Sequence, residues 1–344
     1  MTAAIEFTLP PDREAVAPPE DRGFSRDQVR LLVARQKEIS HRRFADLPGV
    51  LSPGDLLVVN NSATLPAALT GRRVDGRPVV VHLATRRSPC RWIVELRPHR
   101  RATGPVDDLR PGERVALPDG AVLDVEAPIT PRLWIARLGL EGDDLAYLAR
   151  NGRPISYAYV DGEWPLSSYQ TVFATEPGSA EMPSAGRPFT ADLVTRLVAS
   201  GIVIAPITLH TGVSSPEAGE PPMDEWFAVP VATADLVNLT RAAGRRVIAV
   251  GTTAARALET MAGPDGRVDP DCGWTDLVLG PQRPARVVDA IITGWHAPGA
   301  SHLALLEAVV GHDALMAAYD AALEARYLWH EFGDSALLVG PPPP

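Results

Sequence analysis

Gly244-Arg245-Arg246-Val247-Ile248-Ala249-Val250-Gly251-Thr252-Thr253 is the stretch that decides the fold. Four consecutive apolar residues closed by a glycine read as a buried strand, and Gly251-Thr252-Thr253 then opens a helix through Ala254-Ala255-Arg256-Ala257-Leu258-Glu259. On either side the same rhythm returns. Upstream, Thr190 N-caps a helix to about residue 200, Gly201 stops it, 202–209 reads as a strand, and 234–243 is helical with Gly244 as its cap. Downstream, 277–279 and 287–293 read as strands, 303–310 and 314–325 as helices. Alternating elements of this kind predict an α/β main domain with a mostly parallel sheet.

Between residues 71 and 137 the texture changes to short β-rich runs broken by turn residues, such as Pro78-Val79-Val80-Val81 and Arg91-Trp92-Ile93-Val94-Glu95-Leu96. Regularly spaced strands without long helices predict a small all-β barrel or sandwich. The strand Leu56-Leu57-Val58-Val59, after the turn Pro53-Gly54-Asp55, precedes this segment, so the small domain is expected to be inserted into the larger one. The expected boundaries are 1–68 and 155–340 for the α/β domain and 69–154 for the barrel.

With 344 residues, 45% hydrophobic and 22% charged, the chain can bury two cores without disulfides. Residues 1–10 lack the positive segment of a secretory signal, and no apolar run approaches a membrane span, so a cytosolic protein is expected. Cys90 and Cys272 belong to no metal-binding spacing. A formal charge of −9 argues against a protein that coats nucleic acid. Local clusters remain candidates for phosphate contacts or solvated faces: Arg72-Arg73, Arg86-Arg87, Arg97 with His99-Arg100-Arg101, and Arg245-Arg246. Low complexity is confined to the closing Pro341-Pro342-Pro343-Pro344.

Ligands of open α/β sheets sit beyond the carboxyl ends of the strands. There the chain places His210-Thr211-Gly212, Gly251-Thr252-Thr253 and Gly294-Trp295-His296, with Pro183-Ser184-Ala185-Gly186 before the Thr190 helix. The Gly251 turn either binds a carboxylate or ribose hydroxyl at a helix start or is a plain connection. Arg256 and Glu259, three apart, are either a surface ion pair or a pair aimed at the site. Asp289 interrupts an apolar run, which is costly unless the carboxylate is paired or used. His210 and His296 are candidate proton carriers, or hydrogen-bonded structural residues. No GxSxG, HExxH or GxxxxGK[ST] pattern is present.

Taken in order, further segments carry a resemblance: Phe7-Thr8-Leu9-Pro10, His41-Arg42-Arg43-Phe44-Ala45-Asp46-Leu47-Pro48, Tyr169-Gln170-Thr171-Val172-Phe173-Ala174, Pro183-Ser184-Ala185-Gly186, Thr208-Leu209-His210, Gly273-Trp274-Thr275-Asp276, Val288-Asp289-Ala290-Ile291-Ile292-Thr293 and Gly333-Asp334. With the decisive stretch, they make the chain resemble the S-adenosylmethionine:tRNA ribosyltransferase-isomerase family of queuosine biosynthesis. The resemblance implies an α/β domain carrying an inserted β-barrel. The implied reaction transfers and isomerises the ribosyl part of S-adenosylmethionine onto a 7-aminomethyl-7-deazaguanine base in tRNA, giving epoxyqueuosine-tRNA, adenine and methionine. It needs neither metal nor separate cofactor, S-adenosylmethionine being the substrate.

His210, Asp289 and His296 are the catalytic candidates, since a sulfonium acidifies the neighbouring ribose carbon and a modest base can begin the reaction. Tyr169, Gln170, Ser184, Gly186, Gly251, Thr252, Thr253, Arg256, Glu259, Asp276 and Thr293 are the binding candidates, Arg256 or the Gly251 turn being suited to methionine's carboxylate. The chain departs from the family's pattern at Asn61, Ala63, Arg187-Pro188, Val213-Ser214-Ser215-Pro216-Glu217, Pro222-Met223-Asp224 and Gly294-Trp295-His296-Ala297-Pro298-Gly299. These changes remove positive groups and leave two alternatives open: a small-molecule acceptor in place of tRNA, or a non-catalytic nucleoside-binding module. The sequence sets no oligomeric state.

Overall fold

The computed structural model describes residues 7–36, 38–99, 104–213 and 223–341. Arg100-Arg101, Ser214-Ser215-Pro216-Glu217, Pro222 and the last three prolines lie outside the described residues. In chain order the strands of the α/β part are β1 (Arg30–Arg35), β2 (Glu38–Arg43) and β3 (Leu56–Asn60), with β4 (Ser62–Thr64) leading away. The barrel follows as β5 (Ala68–Arg73), β6 (Pro78–Ser88), β7 (Arg91–Arg97), β8 (Arg114–Ala116), β9 (Val122–Pro128) and β10 (Leu133–Gly139), then α1 (Asp144–Asn151). The chain returns through β11 (Glu176–Ser179), α2 (Ala191–Ala199), β12 (Val203–Leu209), β13 (Glu225–Val229), α3 (Val231–Ala242), β14 (Val247–Val250) and α4 (Thr252–Thr260). It closes with β15 (Asp271–Thr275), β16 (Ala290–Gly294), α5 (Ser301–Val310), α6 (His312–Glu324) and β17 (Ser335–Val339).

The decisive stretch is the centre of a nine-stranded sheet ordered β15-β13-β12-β3-β14-β16-β17-β1-β2. Val247 and Ala249 join Leu56, Val58 and Ile291 in one apolar layer, and Ile248 and Val250 join Leu57, Val59 and Ile292 in the other. Alternate side chains thus enter opposite layers, and because both are covered the strand is apolar at every position. Thr190 caps α2 as expected, its hydroxyl accepting the Leu193 N–H at 3.1 Å.

The sheet is mixed. β12, β3, β14 and β16 pair in parallel at its centre, as do β17 and β1, while β15–β13, β13–β12, β16–β17 and β1–β2 are antiparallel. Parallel pairing therefore falls short of the expected majority. Two helices in succession, α5 and α6, carry the chain away from the edge where β16 ends and back to it, so β17 must run against β16.

A strand expected at 277–279 is instead β15, at Asp271–Thr275. Leu279 is apolar because it is buried in the core, whereas most of β15 is exposed at the sheet edge. Asp289 likewise precedes β16 rather than interrupting it.

The small domain is a closed antiparallel barrel ordered β10-β7-β6-β5-β8-β9. Its interior holds Leu69, Val81, Leu83, Trp92, Val94 and Leu123 among others. Where the chain enters and leaves, Ala68 and Arg153 exchange both backbone hydrogen bonds, at 2.8 and 2.9 Å.

Candidate functional site

One edge of the sheet gathers the carboxyl ends of β3, β12, β14 and β16 with the starts of the antiparallel strands β13 and β17. Asn60 ties this edge together. Its side-chain N–H donates to the Leu209 carbonyl at 2.8 Å, while its Oδ1 accepts the Leu209 and Ser62 N–H groups, each at 3.0 Å.

His210 is held by a ring stack and by a hydrogen-bonded chain of two serines. Its ring stacks on Trp226 at 5.1 Å, its Nδ1 lies 2.8 Å from Ser62 Oγ, and Ser62 Oγ lies 2.6 Å from Ser179 Oγ. Burial pushes the imidazole down to about 4, so it is neutral at ordinary pH and offers a lone pair. The stack His296–His302, 4.5 Å between ring centres, stands beyond β16, with His296 Nε2 3.1 Å from Thr293 Oγ1. Burial lowers His296 well below its usual value and His302 to about 4.

Between these histidines and the barrel lies an acidic group that the sequence reading missed. Glu331 accepts the Tyr159 hydroxyl at 2.6 Å, Glu181 accepts the Tyr157 hydroxyl, and His330 stacks on Tyr159 at 4.2 Å. Arg97 of the barrel, paired with Glu95 at 3.0 Å, lies over Tyr157 at 5.6 Å. Glu181 acts electrostatically on Glu331, Glu225 and both tyrosines, linking the cluster. Burial pushes Glu331 up to about 6 and raises Glu225 despite the adjacent Arg256. Paired tyrosines two residues apart, and the His330-Glu331 dipeptide, were the available signals; neither follows a recognisable strand.

The remaining expected residues divide. Gly251, at φ +93°, turns the chain into α4 and donates its N–H to Ile292 at 2.8 Å. The following Thr252 is half-buried, and the Thr253 hydroxyl is buried without a hydrogen-bond partner among the described residues. Ser184 and Gly186 form a short turn on the same edge, a Cβ at Gly251 meeting Ala185 at 3.2 Å. Thr293 faces His296, and Asp276 is exposed just past β15.

Tyr169 and Gln170 brace β4: the Gln170 amide copies a strand neighbour, accepting Thr64 N–H at 3.0 Å and donating to Thr64 O at 2.7 Å. The Tyr169 carbonyl accepts the Thr64 hydroxyl at 2.7 Å.

Three expected residues are placed elsewhere. Asp289 lies at the opposite edge of the sheet, where its carboxylate accepts the Val247 N–H at 2.8 Å. Arg256 and Glu259 are buried and do not pair with each other, each being bonded to other segments of the chain. The Arg256 guanidinium is spent on the carbonyls of Leu277, Met223 and Thr275 and on Glu225 at 2.6 Å. Glu259, 1% exposed, accepts the successive N–H groups of Arg286, Val287 and Val288.

Several basic clusters are also neutralised: Arg73 pairs with Glu113, Arg86 with Asp144, Arg87 with Asp224 and Arg246 with Asp55. Arg187, at one of the departures noted above, is buried and bonds to Ser168 O and Glu20, each at 2.9 Å.

A sheet edge that gathers neutral histidines, buried carboxylates and tyrosines beside an inserted barrel defines the class, an α/β protein with a composite polar site. The family model described as queuosine biosynthesis protein matches residues 2–338. Proteins named S-adenosylmethionine:tRNA ribosyltransferase-isomerase are similar throughout: that of Symbiobacterium thermophilum is 38% identical over 97% of this chain and 98% of its own length. That of Synechococcus elongatus is 36% identical over 98% and 95%. The crystal structure of S-adenosylmethionine tRNA ribosyltransferase from Thermotoga maritima matches with a TM-score of 0.54 and 28% identity, over 97% of this chain and 99% of that one. The chain belongs to the queuosine biosynthesis protein family.

Proposed function

We propose that this chain is an S-adenosylmethionine-dependent ribosyltransferase-isomerase, transferring and isomerising the ribosyl moiety onto a 7-aminomethyl-7-deazaguanine base in tRNA. The observation that carries the reading is the match of nearly the whole chain to relatives of that name. It supports tRNA as acceptor over a small molecule, and an enzyme over a binding module.

The chemistry of the site agrees. Both reactants bring positive charge, the sulfonium of one and the primary amine of the other, and Glu331, with Glu181 acting on it electrostatically, supplies a partly buried negative group to receive them. Neutral His210 accepts a proton from the ribose carbon beside the sulfonium, adenine leaves with a proton from the site, and methionine departs as its thioether. His296 and Thr293 stand at the second strand end as the other proton-carrying pair. Ionised Glu331 draws the proton from the attacking amine. The Thr253 hydroxyl, without a partner among the described residues, and the N–H groups opening α4 hold a carboxylate or a ribose oxygen, which favours the Gly251 turn over Arg256 for that part. No helix among the described residues is long and apolar enough to cross a membrane. The tRNA acceptor of the proposed reaction is what places the activity in the cytoplasm.

The test is release of adenine and methionine from S-adenosylmethionine with tRNA carrying the aminomethyl-deazaguanine base, with unmodified tRNA and without acceptor. Release confined to the modified tRNA supports the reading. Release without any RNA, or with none of the mixtures, overturns it.

A further inference from the structure

The outermost strand of the sheet, β2, carries His41-Arg42-Arg43 at the end nearest the candidate site. The register fixes this position: Gly294, at the end of β16, is opposite Ser335, Ser335 is opposite Leu31, and Leu31 is opposite Arg42. Three strand spacings put Arg42 about 14 Å across the same sheet edge from Gly294.

An open hollow of about 450 Å³ adjoins the strand, lined by Arg30, His41, Arg42, Arg43, Asp46 and Tyr327 among others. Most of its floor is already committed. Arg30 pairs with Asp334 at 2.7 Å and lies over the Tyr327 ring at 4.2 Å, while His41 Nδ1 meets the Tyr327 hydroxyl at 2.9 Å. Asp46 accepts the backbone N–H of Arg43 at 2.9 Å.

The two outer guanidiniums differ from those of the neutralised clusters. Arg43 is exposed and, among the described residues, its side chain donates only to a neutral carbonyl, that of Gln28, at 2.7 Å. Arg42 is exposed with no hydrogen bond or ion pair to its side chain among the described residues. In a chain of formal charge −9, two unneutralised arginines beside a hollow on the site's own edge are a local attraction for a polyanion. Charge also protects an edge strand from pairing with another chain, and the test separates that role from binding.

We propose that the β2 edge is a docking surface for the phosphate backbone of the tRNA acceptor, with Arg42 and Arg43 contacting phosphates beside the nucleotide that enters the site. The proposal rests on the function given above. A base that undergoes chemistry leaves its stack, and the backbone on either side must then be held. The distance from Gly294 is one that a short run of nucleotides spans.

The test compares the wild type with Arg42→Gln and with Arg42→Gln/Arg43→Gln for tRNA binding at several salt concentrations, S-adenosylmethionine binding, and adenine release at saturating modified tRNA. The expected result is tRNA affinity weakened about tenfold in the double variant, with a salt slope shallower by roughly 0.7–0.9 per lost contact. Affinity for S-adenosylmethionine and the rate at saturating tRNA stay unchanged. If the wild type acts on tRNA while both variants match its affinity and salt slope, the docking surface is overturned and the function stands, the arginines then guarding the strand edge. If the wild type itself neither binds tRNA nor releases adenine with it, the function fails and the docking surface with it.

Discussion

Gly178 lies flat against the imidazole of His210, so closely that a Cβ at position 178 would stand 2.4 Å from the ring. Ser179 follows it and completes the Ser62–His210 hydrogen-bonded chain, so β11 serves as a backstop for the histidine. Gly178→Ala must push the ring away from Ser62 or from Trp226. Overpacking costs about 1–3 kcal/mol, and a misplaced proton acceptor costs roughly 10²-fold in rate. Adenine release measured beside urea unfolding checks both, and an unchanged rate would remove His210 from the chemistry.

Glu331 predicts the acid limb of the pH profile. Burial pushes its carboxyl up to about 6, so it becomes ionised, and able to draw a proton from the amine, only as pH rises through that value. Activity should fall on acidification below about 6. Glu331→Gln should lower turnover by roughly 10²–10⁴ and abolish that limb. Stability runs the other way: the folded state holds this proton more tightly than the unfolded chain, so the contribution of Glu331 is full below the ordinary carboxyl value of 4.5 and is lost as pH rises through about 6. A Glu331→Gln enzyme that keeps the acid limb would assign it to another group.

Arg256 predicts a folding defect in place of a binding defect. Its guanidinium bridges the start of β13, the end of β15 and the loop after it, and Glu225 is its carboxylate partner. Arg256→Ala strands that carboxylate and three carbonyls, which costs roughly 3–5 kcal/mol. Denaturant midpoints should fall accordingly, while the fraction that remains folded binds S-adenosylmethionine with wild-type affinity. Weakened binding at undiminished stability would restore the arginine to the ligand.

The centre of the fold was legible because it obeys local rules. Val247–Val250, flanked by Gly244 and Gly251, states its own strand, cap and helix start, and the barrel's runs such as Arg91–Arg97 state theirs. What stayed hidden depends on partners distant in sequence. Nothing within Glu38–Arg43 marks an edge strand until β1 pairs with it, and β15 is largely exposed, so the apolar residues after it mimic the strand. The site divided on the same line. Residues at strand ends, His210, Gly251 and His296, could be placed on the carboxyl edge from sequence because strand ends can be read. Tyr157, Tyr159, Glu181 and Glu331 come from connecting segments brought together only by tertiary packing. Arg256 and Glu259 share a helix face, yet their partners sit on other segments, so their spacing alone gave the wrong picture.

Asp289 tests this division between the two edges of the sheet. Its carboxylate accepts the Val247 N–H at the edge where β14 and β16 begin, and Arg241 lies 3.9 Å away. Burial raises its pKa although that hydrogen bond and the nearby arginines oppose the rise, so the ionised form is gained at some cost. An amide retains an acceptor for Val247. Asp289→Asn should therefore cost about 1 kcal/mol or less in stability and leave adenine release unchanged, whereas a residue acting on the substrate would lose orders of magnitude in rate. A large drop in turnover with the fold intact would mean that this carboxylate acts from the opposite end of the strands, and would overturn the assignment of chemistry to the carboxyl edge.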